Sequence, residues 1–357
     1  MAQTVLDLLQ TEGTYAKVCA PMVRYSKLNF RQLVRSYDVD LCFTPMIIAD
    51  SFIKSSKARN NEFSTNSQDT PLIVQFASNN HEDFVNATQY VVPHADGVDL
   101  NCGCPQRWAI KDGYGCALLS KPEVMFSCVR QLRNNVQSND FTVSVKVRLL
   151  SDIEKTISLC QQLEKCGVSF VTVHARTATQ KHEPIDVQAL RILKENLHVP
   201  IIANGDVRSL ADADKLYEET LCNGVMSARG LLKNPALFSG AHVTPTSCIE
   251  DWICMKHNHF MTFLHHLVFM CDKLLTSQEK DHLNSLSTGL EILDFLEDKF
   301  NIQSSCRSYF VNLNKGSKCE EETEGKFFQE EMSAVKKQVI QEDHTEDFLD
   351  NCFDIYQ

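Results

Sequence analysis

The stretch VDLNCGCPQRWAIKDGYGCALL, residues 98–119, ends an alternating apolar run in two thiols around a glycine and runs on as a basic, aromatic loop. A cysteine at such a place can be a nucleophile, a metal ligand or an acid. A second set of residues bears on that choice. Gln75, Asn101, Lys146, Arg148, His174, Arg176, Asn204, Asp206 and Arg229 each fall at or just past the end of a short β-branched run. Taken singly, such residues do no more than mark where strands stop. Lys146, Arg148, His174 and Arg176 say more, because four potential cations aimed at one cavity are costly unless an anion fills it. ANGDV (203–207) and ARGLLKNP (228–235) then place Gly205 and Gly230 where backbone can approach a phosphate, although each is equally readable as an ordinary turn glycine.

The elements that must hold these residues are legible from periodicity. Strands are expected at 18–23, 41–47, 72–78, 98–103, 141–149, 170–177, 200–206 and 224–230, with amphipathic helical stretches such as 123–136 and 152–167 between them. Near-continuous apolar strands joined by helices require a parallel sheet covered on its outer face. Eight such units favour a closed (β/α)8 TIM barrel, whose strand ends meet at one mouth. Its last two loops are the usual phosphate cradle. No G-x-G-x-x-G follows a strand, so a mononucleotide cofactor such as FMN fits better than a dinucleotide held on a Rossmann half-domain.

Composition narrows the class. Fifteen cysteines, an odd number scattered through 357 residues, read as free thiols, and the absence of any CxxC pair leaves no metal site to expect. The N-terminus lacks a secretory pattern and no run approaches the ~20 apolar residues of a membrane span, so a cytoplasmic or nuclear protein with no membrane partner is expected. The net charge of −11 argues against nucleic acid until it is mapped. Residues 241–357 hold 21 acidic and 10 basic residues, leaving twenty-five of each in 1–240. Residues 319–357 alone carry 12 acids against 3 bases.

In order along the chain, APMV, VQFA, VDLNCGCP with GYGCALL, VKVRL, VHART, IIANGDV and ARGLLKNP resemble the tRNA-dihydrouridine synthase family, over residues 15–300. LCFTPMI and the short helical part are most similar to the eukaryotic subfamily 4 enzymes, the tRNA-dihydrouridine(20a/20b) synthase type. The resemblance implies reduction of the uracil C5–C6 double bond in the tRNA D-loop, with FMN bound and NADPH or NADH as transient hydride donor. It makes Cys104 the proton donor at C5, while the period of two along an extended strand leaves Cys102 to packing. Cofactor contacts carry over to Pro21, Met22, Val23, Gln75, Lys146, His174, Asn204, Gly205, Asp206, Ala228 and Arg229, and uracil contacts to Asn101, Arg148 and Arg176. Arg107, Trp108, Lys111, Arg176, Lys181 and Lys233 are candidates for a basic rim that meets tRNA. The implied domains are an FMN-binding barrel (1–240), a helical tRNA-binding domain (241–300), in which His265 and His266 read as packing residues, and an acidic, flexible tail (301–357). Two alternatives stay open: an FMN barrel acting on a free pyrimidine, of the dihydroorotate dehydrogenase kind, and a non-catalytic tRNA-binding barrel.

Overall fold

Parallel pairing sets the architecture. The structure, a computed structural model, describes residues 4–136, 138, 140–303 and 307–315. Strands β1 (Ala16–Cys19), β2 (Leu41–Phe43), β3 (Ile47–Ile48), β4 (Leu72–Ala77), β5 (Gly97–Cys102), β6 (Thr142–Leu149), β7 (Phe170–Thr177), β8 (Ile201–Asn204) and β9 (Gly224–Ser227) form one parallel sheet. It closes where β1 meets β9, at Val18 opposite Met226, and where β2 meets β4, at Phe43 opposite Ile73. This is a (β/α)8 barrel. The strands are buried along almost their whole length because helices cover them outside and side chains fill them inside.

The stretch expected as one strand, 41–47, is split. Pro45 has no N–H to give to a ladder. In the break the Thr44 hydroxyl accepts the Gln75 N–H at 3.1 Å, and β3 resumes beside the far end of β4, with Ile47 opposite Phe76. Met46, in the break, is thereby turned toward the barrel mouth.

Helix starts follow local chemistry. Side chains of Asn80, Asp152, Asp186 and Ser209 each accept an otherwise orphaned N–H of the first turn of the helices His81–Val91, Ile153–Lys165, Val187–Asn196 and Leu210–Thr220. Beneath the barrel, the short helix Val5–Leu9 is started by a Thr4–Asp7 capping box and buries Val5 and Leu9. The β1–α side is clamped by a buried ion triad. Arg31 meets Asp69 at 2.6 Å and Arg35 meets it at 3.4 Å, while Arg31 also donates to the Ser26 and Ser64 carbonyls.

After Gly240 the chain forms the helices Thr246–Cys254, Phe260–Met270, Ser277–Ser285 and Gly289–Phe300. Phe260–Met270 is buried over most of its circumference, as its apolar composition requires. His266 on it is wholly enclosed, stacked on Phe30 of the barrel helix Leu28–Arg35 at 4.7 Å and against Trp252 at 4.6 Å. Burial holds its imidazole down at about 3, so it packs as a neutral aromatic ring.

Residue 300 is not where packing ends. Ile302, Phe310 and Leu313 are buried, Gly289 N donates to Leu313 O at 2.7 Å, and Lys315 N donates to Ser287 O at 2.8 Å. A side chain at Gly289 would meet Phe310 at 3.0 Å, so the two segments are in close contact. The start of the segment expected as a tail therefore belongs to the helical unit, and residues 316–357 of it lie outside the described residues. Phe310→Ala, which empties the space beside Phe263, is expected to cost about 3 kcal/mol in a denaturant titration. A loss below about 1 kcal/mol would show that this segment merely rests on the surface.

Candidate active site

Register stacks polar side chains in rows across the barrel. Gln75, Asp99 and Ser144 sit opposite one another on β4, β5 and β6. Asn101, Lys146 and Thr172 form the next row up on β5, β6 and β7, and Arg148, His174 and Asn204 the rim on β6, β7 and β8. Members of each row line a small cavity that opens to solvent at the barrel mouth. Every barrel strand or the residues just after it contribute to the wall: Pro21 and Val23 after β1, Met46 after β2, then Gln75, Asn101 and Cys104, Lys146 and Arg148, His174, Asn204 and Ala228. Ten of the fifteen residues read from sequence as site residues line it.

Cys104 is placed by three neighbours. The Asn101 side-chain oxygen accepts the backbone N–H of Cys104 at 3.0 Å and of Gly103 at 3.3 Å, ending β5 and lifting the thiol into the mouth. Arg148 Nε donates to the Gly103 carbonyl at 2.9 Å. From the GYGC loop, Cys116 N donates to the Cys104 carbonyl at 2.9 Å, and a side chain at Gly115 (φ +59°) would stand 2.5 Å from that same oxygen. The thiol points at Gln106 Oε1, 3.9 Å away, which also accepts the indole N–H of Trp108 at 2.6 Å. Burial raises the Cys104 thiol above its usual range, opposed by a backbone hydrogen bond at Gln106 and by Arg148 and Lys146. The group is therefore protonated at neutral pH, the state of an acid and not of a nucleophile. Cys102, two residues back at the end of β5, is wholly buried in the core.

Beneath the thiol lies a carboxylate that the strand-end reading passes over. Asp99 is fully buried; it accepts from Gln75 Nε2 at 2.8 Å and from Ser144 Oγ at 2.7 Å, and burial raises it to about 6. Its signal in the sequence was the period of two, which puts it on the same inward face as Asn101.

The cationic side is built around β6–β9. Lys146 Nζ donates to Asn204 Oδ1 at 3.0 Å, and Asn204 Nδ2 to Met226 O at 3.0 Å. His174 is driven well below its ordinary range by burial first and then by Arg148, Lys146, Arg176 and Arg229, so it is neutral at pH 7. Thr172 Oγ1, His174 Nδ1, Arg176 Nη1 and Asp206 Oδ1 are buried without hydrogen-bond partners. Of these four, only His174 lines the cavity, and its unpartnered ring nitrogen among the converging cations Lys146 and Arg148 fits an oxygen-rich anionic group.

Five expected residues stand apart from the cavity wall. Met22 is a core side chain. Arg176, expected both at the uracil and on the RNA-facing rim, is 2% exposed, paired with Asp206 at 2.5 Å and bonded to the Glu183 carbonyl. Together Arg176 and Asp206 brace β7 against the β8 loop from behind. Gly205 answers to internal packing, since a side chain there would meet Ile185 at 2.6 Å, and so does Gly230, where one would meet the Val207 carbonyl at 2.3 Å. Arg229 opens the short helix Arg229–Lys233 and acts on His174 through its charge. Of the other rim candidates, Arg107, Trp108 and Lys111 lie exposed on the helix directly after Cys104, Lys181 is exposed, and Lys233 is paired with Asp272 at 2.8 Å.

The family model described as Dihydrouridine synthase (Dus) matches residues 18–351. The chain belongs to the dihydrouridine synthase family. A mouse relative described as tRNA-dihydrouridine(20a/20b) synthase (NAD(P)+)-like is 50% identical over 299 residues, covering 83% of this chain and 92% of the relative. Its human counterpart is 50% identical over 293 residues, covering 81% and 92%. A Schizosaccharomyces pombe tRNA-dihydrouridine(20a/20b) synthase (NAD(P)+) is 41% identical over 287 residues, covering 79% and 87%. Among the described residues, no cluster of three His, Cys, Asp or Glu is placed to hold a metal ion, and no helix is long and apolar enough to cross a membrane.

Lys146 gives this dihydrouridine synthase a measurable pH signature. Burial, then Arg148, hold its ammonium down at about 8, against 10.5 for an ordinary lysine. A basic group depressed on folding costs stability wherever it is protonated, so the cost is full below about pH 8 and fades as pH rises toward 10.5. Lys146→Met is therefore expected to raise the melting temperature of the flavin-free protein by several degrees at pH 7, with the gain shrinking through about pH 8–10. An equal gain at every pH would mean that the ammonium is not strained.

Proposed function

We propose that this chain is a tRNA-dihydrouridine synthase that reduces the C5–C6 double bond of a D-loop uridine of the 20a/20b type, with FMN bound and NAD(P)H as donor. The observation that carries the reading is one cavity holding a protonated thiol on one side and, on the other, the cations Lys146 and Arg148 beside His174, whose Nδ1 is buried without a partner.

FMN would be held by the β6–β9 side, with Lys146, His174 and Asn204 toward its polar groups, Arg229 adding positive charge from behind the wall, and Pro21, Val23 and Gln75 along its ring. Bound there and reduced by NAD(P)H, it supplies the hydride that uracil C6 requires. The chain's residues do the rest. Cys104 gives its S–H proton to C5, and the thiolate left behind is reprotonated from water. Arg148, whose Nε and one Nη1–H are spent on the Gly103 and Thr177 carbonyls, keeps further N–H groups for a uracil carbonyl, where they stabilise charge that develops on oxygen. Asn101 is largely committed to holding Cys104, and serves the uracil through that. Arg107, Trp108 and Lys111 give a tRNA loop two cations and an aromatic face beside the thiol, a pairing suited to single-stranded RNA. The helical unit after residue 240 and an acidic tail beyond residue 315 complete the proposed domain organisation, the helical unit adding grip on tRNA.

Two measurements check this. Purified protein should carry the visible absorbance of oxidised flavin, and Lys146→Met should retain about tenfold less of it on dilution. A colourless wild-type protein that no added FMN converts favours the non-catalytic reading. Cys104→Ala should leave flavin bleaching by NADPH intact while dihydrouridine in tRNA, measured by mass spectrometry, forms about 10²–10⁴-fold more slowly. Wild-type rates in Cys104→Ala would remove the thiol from the reaction.

A further inference from the structure

Cys104 is held by an amide, and an amide can face either way. The Asn101 side chain presents its oxygen to the Cys104 and Gly103 N–H groups, which requires its Nδ2 to point at Gln75. It does, donating to Gln75 Oε1 at 2.9 Å. That in turn requires Gln75 to point its own Nε2 away from Asn101, and there it meets Asp99 Oδ2 at 2.8 Å. An ionised carboxylate can only accept. Ser144 Oγ occupies the other Asp99 oxygen at 2.7 Å, so both are engaged by donors. The direction of every bond in the row is fixed at its buried end.

We infer that Asp99 is the positioning residue that sets the orientation of the Gln75 and Asn101 amides and through them the seat of the Cys104 thiol. The inference rests on the proposed role of Cys104 as acid. Three features support a directional relay over generic core polarity. Asp99, Gln75 and Asn101 are all at most 7% exposed, so water does not replace a lost bond cheaply. Each link is within 3.0 Å. The far end is not another side chain but the backbone of the reactive residue, so a reversed amide sets N–H against N–H at Cys104.

Asp99→Asn keeps shape and removes the constraint, since the introduced amide can donate to Gln75 Oε1 and allow both amides to turn over. Asp99→Asn/Gln75→Glu restores it differently: the carboxylate now at position 75 can only accept, taking one N–H from the amide at position 99 and another from Asn101 Nδ2. Gln75→Glu alone sets two carboxylates face to face and should be worse than the double variant. The readout is alkylation of Cys104 by N-ethylmaleimide in the purified full-length protein, located by peptide mass spectrometry, beside dihydrouridine formation. Expected are about tenfold faster alkylation and about 10²-fold slower tRNA reduction in Asp99→Asn, with alkylation in the double variant back within about threefold of wild type. If Asp99→Asn does not fold, recovery of fold and alkylation rate in the double variant gives the same answer. Asp99→Asn indistinguishable from wild type overturns the relay, as does a double variant that is unfolded or as altered as the single. If alkylation follows the expected pattern but wild-type protein forms no dihydrouridine, the relay stands and the proposed activity fails.

Discussion

Closure of eight parallel strands gathers every carboxyl strand end onto one rim, and the rest of the structure answers to that constraint. Residues far apart in sequence become neighbours only because β1 meets β9 and β2 meets β4. Inside the ring, register converts position along a strand into depth, so that Asp99 lies in one row with Gln75 and Ser144, and Lys146 one row higher. A thiol, a carboxylate and several cations can then share one small space, each at a separate height.

That gathering works against the fold. Burial lowers the Lys146 ammonium and the His174 imidazole and raises the Asp99 carboxyl, each away from its charged form. The cations that survive repel one another, and the orphaned atoms on β7 and β8 forgo hydrogen bonds. Support comes from outside the mouth: the Arg31–Asp69–Arg35 triad, the aromatic stack of His266 on Phe30, and helices capped by their own side chains. The barrel is stable around its rim and strained within it, as expected of a receptacle for a charged ligand.

What sequence revealed, and what it hid, follows from the range of each signal. Cys104, Lys146 and His174 stood out as candidates because they follow apolar runs whose periodicity is local, although the structure sets Lys146 and His174 within β6 and β7 and Cys104 just past β5. Pro45 was also legible, as a residue that cannot donate to a ladder, yet a reading by hydrophobicity alone ran β2 straight through it. Asp99 was hidden by its depth, since attention to strand ends passes over a polar residue in mid-strand. The buried place of Arg176 was hidden because its partner Asp206 is adjacent only once β7 and β8 are side by side. The packing of Phe310 was masked by charge, since the dense acids after residue 319 gave their character to a stretch whose first residues include Ile302, Phe310 and Leu313.

That last contact orders events during synthesis. The barrel can close as soon as β9 leaves the ribosome, because its partners β1 and β8 are already outside. The helical unit cannot finish then. Phe260–Met270, apolar on nearly every face, emerges well before Phe310, which packs on Phe263, and before Leu313, which takes the Gly289 N–H. Until that short segment arrives, the nascent chain displays its most apolar helix with one side uncovered. Ile302, Phe310 and Leu313 thus act as a clasp over the helical unit, supplied by residues that follow its last long helix.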